Sequence, residues 1–285
     1  MEKPLILVTN DDGINAPGIR CLIDVMSEIG EVIVVAQDSP QSCMGHAITI
    51  NSTLHCSKIS PKSSKRLEYS CSGTPADCVK LAVNELMPRK PDLCVSGINH
   101  GANSSINVIY SGTMSAAVEA GIEGIKSIGF SLLDYSWNAD FKPCKSIIEK
   151  ICLSVLNQSR ENLILNVNFP SKIKKFKGIK VCRQAKGYWE DTYDKRISPL
   201  AKENYSLTRS ILNQDNEKET SNSVYLSPGA SLVIRDYDLD SDTLNDQSKL
   251  RSDVTGKGNY TEKINYTVNV LSLIHISEPT RLLSI

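Results

Sequence analysis

Short unbroken apolar runs take turns with stretches in which apolar residues recur every three or four positions, from the N-terminus to about residue 167. Leu5-Ile6-Leu7-Val8 is too short for a helix and suits a strand covered on both faces, as a parallel sheet requires. Beyond the polar turn Asn10-Asp11-Asp12-Gly13, Pro17 fits a first helical turn. Ile19, Leu22, Ile23, Met26 and Ile29 then keep helical spacing up to Gly30. Val32 to Ala36 reads as a second covered strand, with the polar loop Gln37 to His46 behind it. Thr74-Pro75-Ala76-Asp77 has the capping threonine, first-turn proline and early acid of a helix start, and the helix should reach about Met87. Leu93-Cys94-Val95 predicts a short strand, followed by a Gly/Asn/Ser-rich loop from Ser96 to Gly112. Thr113 then opens a small-residue helix through Ala120. Ile128 to Leu133, Cys144 to Leu156 and Leu163 to Val167 read as strand, helix, strand.

This alternation predicts an α/β fold, a mostly parallel sheet with helices on both faces, whose ligands bind at the carboxyl ends of the strands. From about Leu200 the chain turns polar, with runs such as Asn213-Gln214-Asp215-Asn216-Glu217-Lys218. Its best strand segments are Ser223 to Ile234 and Tyr260 to Val270.

Charge and cysteine usage narrow the partners. The 285 residues carry 32 basic and 32 acidic side chains, which excludes the broad positive field of a nonspecific nucleic-acid binder. An anionic ligand must be met by local groups. Nine cysteines, scattered and without a Cys-x-x-Cys pair, argue against both a disulfide framework and a zinc cage. The N-terminus lacks the length and cleavage site of a signal peptide, and no apolar stretch approaches about 18 residues. The expectation is a soluble protein of the reducing cytoplasm with neither a nucleic-acid nor a membrane partner.

Two adjacent carboxylates after an apolar strand, Asp11 and Asp12, suit a hard divalent cation such as Mg²⁺ or Mn²⁺. Taken alone, Asn-Asp-Asp-Gly is equally open to being a plain turn, since all four residues favour turns. Three other loops add weight to the metal reading. Ser42 follows the second strand, Asn99 lies in Gly97-Ile98-Asn99-His100-Gly101-Ala102-Asn103, and Ser111-Gly112-Thr113 directly precedes a helix. If the strands are parallel, these loops open on one rim. Ser42 and Asn99 can then complete an oxygen shell begun by the aspartates, while Ser111, Gly112 N–H and Thr113 meet a phosphate at the helix N-terminus. Asn99 and Asn103 are further candidates for substrate contact, although Asn103 also suits a turn. His46 and His100 flank the rim with their roles open, Tyr188 and Trp189 suit either base stacking or packing, and Lys80, Arg89 and Lys90 read as solvated charges.

Asn10-Asp11-Asp12-Gly13 through Ala16-Pro17-Gly18, Ser42-Cys43-Met44-Gly45, Gly73-Thr74-Pro75-Ala76-Asp77-Cys78, Ser96 through Asn103, and Tyr110-Ser111-Gly112-Thr113 together resemble the SurE family of survival-protein nucleotidases, over roughly residues 3 to 195. The resemblance implies a Rossmann-like three-layer fold and one divalent cation (Mg²⁺ or Mn²⁺) per subunit. It also implies 5′/3′-nucleotidase activity, sometimes with exopolyphosphatase activity, and a homodimer or homotetramer. The counterparts of Asp11, Asp12, Ser42 and Asn99 would hold the metal. Cys43 stands where family members commonly have glycine.

The expected reaction is metal-dependent hydrolysis of nucleoside 5′- and 3′-monophosphates, with Asp11 or Asp12 taking the proton of the attacking water. An aspartyl-phosphate route is the mechanistic rival. A broader phosphatase or exopolyphosphatase, and a nucleotide-binding protein inactivated by an aberrant C-terminus, are the functional alternatives. The domain is expected at residues 1–205. The family's closing segment is not evident after about Tyr205, so residues 206–270 read as an uncertain, candidate foreign stretch. Residues 271–285 read as adapter-derived, because Leu271 through Arg281 resemble a translated transposase adapter used in sequencing libraries.

Overall fold

The computed structural model describes residues 3–61, 64, 66–159, 163–171, 176, 179–181, 184–198, 203–213 and 230–235. The first strand, β1 (Leu5–Thr9), is buried along its whole length because both faces are covered. Ile6 and Val8 pack with Ile19, Leu22, Ile23 and Met26 of α1 (Pro17–Ile29) and with Ile148, Ile151, Cys152 and Val155 of α5 (Lys145–Leu156). Leu5 and Leu7 pack oppositely, against Cys78 and Val79 of α2 (Pro75–Leu81) and Ala116 and Ala120 of α4 (Gly112–Ile122). Successive strand residues face opposite sides, so one tetrapeptide of large aliphatics specifies a three-layer sandwich.

Around β1 run β2 (Glu31–Gln37), β3 (Cys56–Lys58), β4 (Leu67–Cys71), β5 (Leu93–His100), β6 (Ser127–Leu132) and β7 (Ile164–Phe169). With β8 (Ile179–Val181) and β11 (Ala230–Arg235), they form one sheet in the order β3-β4-β2-β1-β5-β6-β7-β11-β8. The block from β4 to β7 is parallel throughout, while β3 is antiparallel to β4 and β11 is antiparallel to β7. Chain order reverses between β1 and β5, which makes their carboxyl ends the switch point where such sheets bind ligands.

Three departures from the sequence expectation matter. The strand at Leu93 continues through Asn99 to His100, with a register shift between Ser96 and Asn99, so Asn99 lies in β5 and not in a loop. Gly97 permits this: its φ is +124°, and a Cβ there would stand 2.3 Å from the Phe130 carbonyl oxygen. A short helix, α3 (Asn107–Tyr110), interrupts the expected loop. The third departure is a two-stranded antiparallel hairpin of β9 (Gly187–Ile197) and β10 (Glu203–Asn213), which spans residue 205. The strand expected within Ser223 to Ile234 is present as β11 and belongs to the main sheet. The one expected at Tyr260 to Val270, like residues 271–285, lies outside the described residues.

Candidate active site

Asp11 and Asp12 follow β1 at the switch point, held by a turn that the sequence builds from its own groups. Asn10 Nδ2 donates to the Gly13 carbonyl (2.8 Å) and Ile14 N–H to the Gln37 carbonyl (2.8 Å), which ties the turn to the end of β2. Asp11 is 5% exposed. Its Oδ1 accepts the Thr113 hydroxyl (2.5 Å), and the Thr113 backbone N–H donates to the same carboxylate. Ser111 caps α4 by accepting from Met114 N–H (3.0 Å). Gly112 lies so close that a Cβ there would stand 2.6 Å from the Asp11 Cβ and 3.0 Å from the Pro75 ring. The N-terminus of α4 therefore meets Asp11, with the first turn of α2 packed beside it, and the α4 dipole favours negative charge there.

Electrostatics at the pair are opposed. Burial, reinforced by the charge of Asp12, pushes the Asp11 carboxyl up to about 6, against the pull of the Thr113 donors. Burial raises Asp12 as well, against the His100 backbone N–H that donates to its Oδ2 (3.2 Å). Among the described residues neither aspartate has a basic ion-pair partner.

The structure brings most of the expected set together. Asn99 precedes the His100 amide that binds Asp12, and its Nδ2 donates to the Gly101 carbonyl (2.8 Å), leaving Oδ1 as the free end. Gln41 N–H donates to the Asp11 carbonyl (2.8 Å), so the loop carrying Ser42 is pinned beside the aspartates. Ser42 itself is exposed and has no hydrogen-bond partner among the described residues. Thr113, expected at a phosphate, gives both its donors to Asp11, because a buried carboxylate needs them. Asn103 is a buried hub: its N–H donates to Asn168 Oδ1, its Nδ2 to Ser131 Oγ, and its carbonyl accepts from Asn166 Nδ2.

Could a divalent cation be held here? The donor set is two carboxylates without a basic partner among the described residues, plus neutral oxygens, the ligand chemistry that a hard divalent cation takes. Beneath the aspartates, Thr9 Oγ1, Asn10 Oδ1, Ser96 Oγ and the Gln37 amide are buried without hydrogen-bond partners. Thr9 and Ser96 are register partners on β1 and β5. Buried orphan oxygens in native proteins ordinarily face water or an ion, so these residues fit a hydrated hard cation.

The family model described as Survival protein SurE matches residues 6–191. The chain belongs to the SurE family. The 5′-nucleotidase SurE of Flavobacterium psychrophilum is 63% identical over 241 residues, which cover 84% of this chain and 94% of that protein. The 5′-nucleotidase SurE of Christiangramia forsetii is 61% identical over 241 residues, 84% and 93% of the two chains. The crystal structure of the SurE protein from Aquifex aeolicus matches with a TM-score of 0.71 at 35% identity, covering 86% of this chain and 98% of that one. A span of 241 residues exceeds the 205 assigned to the domain from sequence, so similarity to these SurE chains continues beyond residue 205.

Some residues of this SurE site escaped the sequence reading. Asn166 and Asn168, two positions apart in the otherwise apolar β7, hold Asn103. Polar residues at that spacing in a covered strand were the available signal. Lys80 is not merely a solvated charge: its Nζ binds Glu119 Oε1 (2.6 Å), and His46 Nε2 binds Oε2 of the same buried carboxylate (2.6 Å). His100 stacks on Trp137 at 5.7 Å and meets Phe141 edge-on, so its backbone N–H, not its ring, serves the aspartates. Tyr188 is exposed, and the Trp189 ring lies 5.5 Å from the Arg209 guanidinium, which also lies 5.4 Å from Tyr110.

Proposed function

We propose that this chain is a metal-dependent phosphomonoesterase that hydrolyses nucleoside 5′- and 3′-monophosphates to nucleoside and phosphate. The observation that carries the proposal is an adjacent aspartate pair at the switch point, Asp11 buried and Asp12 half-buried, without a basic partner among the described residues and with the α4 N-terminus against Asp11. The names of the SurE relatives support the nucleotidase part. In this reading Asp11, Asp12, Ser42 and Asn99 hold one Mg²⁺ or Mn²⁺. The cation, when bound, supplies Lewis-acid polarisation of the phosphate and a lowered pKa for water.

The chain's own residues do the rest. Thr113 fixes Asp11 through two donors, so that its carboxylate loses no freedom on binding. A water attacks phosphorus in line, and an aspartate oxygen accepts its proton. The carboxylate oxygen of Asp11 or Asp12 that the cation leaves free is that base. The Gly112 N–H and the Ser111 hydroxyl proton, neither used within α4, stabilise charge on the equatorial phosphate oxygens.

The proposal includes a cytoplasmic location and a homodimer or homotetramer. The β9–β10 hairpin exposes Tyr193, Ile197, Tyr205 and Leu207, apolar surface of the kind a second copy covers. Among the described residues no helix is long and apolar enough to cross a membrane.

The test is phosphate release from a panel of 5′- and 3′-nucleotides and polyphosphate, with Mg²⁺, Mn²⁺ or chelator, for the wild-type chain and Asp12→Ala. The expected result is metal-dependent release from nucleotides that falls at least about 100-fold in the variant. Near-normal turnover by Asp12→Ala would remove the assignment.

A further inference from the structure

Three cysteine thiols that the proposed reaction does not use lie together at the outer edge of the sheet. Cys56 opens β3 and Cys71 closes β4, and the two are direct partners in the antiparallel register. Ser72 N–H donates to the His55 carbonyl and Ile59 N–H to the Glu68 carbonyl, each at 2.9 Å, which makes His55–Ser72 and Ile59–Glu68 hydrogen-bonded pairs. Alternation along an antiparallel ladder then leaves Cys56–Cys71 as a non-hydrogen-bonded pair, whose Cα atoms stand about 4.5 Å apart with side chains close. That separation falls inside the range of roughly 4.4–6.8 Å that a disulfide spans. Both side chains face the α2 layer: Cys71 belongs to its core and Cys56 packs against it. The two thiols hydrogen-bond to each other, and Cys71 bonds in turn to the thiol of Cys78 on α2.

The pair divides its tasks by exposure. Cys56 is only partly buried, whereas Cys71 and Cys78 are fully buried. Cys78 and the Gly73 N–H hold the Cys71 thiol down to about 7, while burial raises Cys56. Cys56 is therefore the group an outside oxidant reaches, and Cys71 the thiolate ready to answer it.

We propose that Cys56 and Cys71 form a reversible disulfide, a redox modification site on the β3–β4 edge that reacts with hydroperoxides. The Cys56 thiol gives up its proton and its sulfur attacks the peroxide; the O–O bond breaks, the leaving oxygen takes up a proton, and the products are a sulfenic acid on Cys56 and an alcohol, or water from hydrogen peroxide. The Cys71 thiolate then attacks the Cys56 sulfur, the S–S bond forms, and hydroxide departs and is protonated to water. The two thiols lose two electrons and the peroxide gains them. The bond would clamp the far end of the segment that carries Ser42, because β3 follows that segment and Thr74, just past Cys71, donates to the Ala47 carbonyl within it (2.7 Å).

The experiment uses the full chain, reduced, desalted and exposed to hydrogen peroxide without denaturant, then digested without reductant and mapped by mass spectrometry. Expected is a peptide pair joined through Cys56 and Cys71, separated again by dithiothreitol and absent from Cys71→Ser. Circular dichroism on the oxidised wild-type chain shows that the linkage forms in the folded state. A folded wild-type chain that gives no such linkage, or that joins Cys71 to Cys78 or Cys56 to Cys43 instead, overturns the proposal.

Discussion

Asp11 shows how a single side chain can be costly to the fold and necessary to the site. Its folded pKa of about 6 lies above the ordinary 3.8, so between those values the native state binds the proton more tightly than the unfolded chain does. The metal-free protein therefore loses stability from this group as pH rises from about 4 through 6, and carries the full penalty above that. Two pKa units correspond to roughly 3 kcal/mol, an upper bound for what Asp11→Asn relieves. The expected outcome is a chelated Asp11→Asn protein with a higher Tm than chelated wild type at pH 7.5 and little difference near pH 4, and no phosphate release from the variant when Mg²⁺ or Mn²⁺ is supplied. Cys43 is a second strained residue. It holds a left-handed φ of +63° in a loop where glycine would be at ease. Relief of about 1–2 kcal/mol of steric cost, less up to about 1 kcal/mol of added chain entropy, makes Cys43→Gly stabilising by roughly 0.5–1 kcal/mol. Urea unfolding measures this directly, and a lower midpoint would contradict it.

At the scale of elements, the start of α2 does more than begin a helix. Thr74 and Asp77 form a reciprocal capping box, and Asp77 also accepts from Thr49 N–H (3.0 Å) and the Thr49 hydroxyl (2.6 Å). The helix cap thus anchors the segment between β2 and β3 that carries Ser42. Those hydrogen bonds hold the Asp77 carboxyl below its usual range despite burial, so its contribution is present above about pH 4 and lost as pH falls through the lowered folded value. Asp77→Asn should cost about 2 kcal/mol at pH 7, with the deficit shrinking below pH 4 and faster amide exchange across residues 41–50. Unchanged exchange there would separate the cap from the loop. The capping box and the alternation of β1, α1 and β2 were legible because their signals are local. The extension of β5 through Gly97 and Asn99 was not, since residues that look like a loop become strand only when Phe130 of β6 packs against Gly97. The β9–β10 hairpin escaped for another reason: most of its residues are exposed, so no alternating buried face marks it.

At the scale of the whole molecule, β11 decides how the sheet ends. It covers β7 by antiparallel pairing from Ser231–Asn168 to Arg235–Ile164, so the segment after residue 205 includes part of the main sheet. A chain stopped at Asn213 leaves β7 as a bare edge, and its expected behaviour is a lower Tm and concentration-dependent aggregation, read by light scattering. A chain stopped at Val270 loses only the adapter-like residues and should match the full chain in Tm and phosphate release. By itself the sequence determined the strand-helix alternation, the turn at Asp11 and Asp12, the helix start at Thr74 and, to within one residue, the helix expected from Thr113, because each depends on neighbours within a few residues. Only the tertiary structure decided that Thr113 serves Asp11, that His100 reaches Asp12 through its backbone, and that Cys56 faces Cys71. Those pairings join strands and helices far apart in the chain, and strand order, which no local pattern encodes, brings them within hydrogen-bond distance.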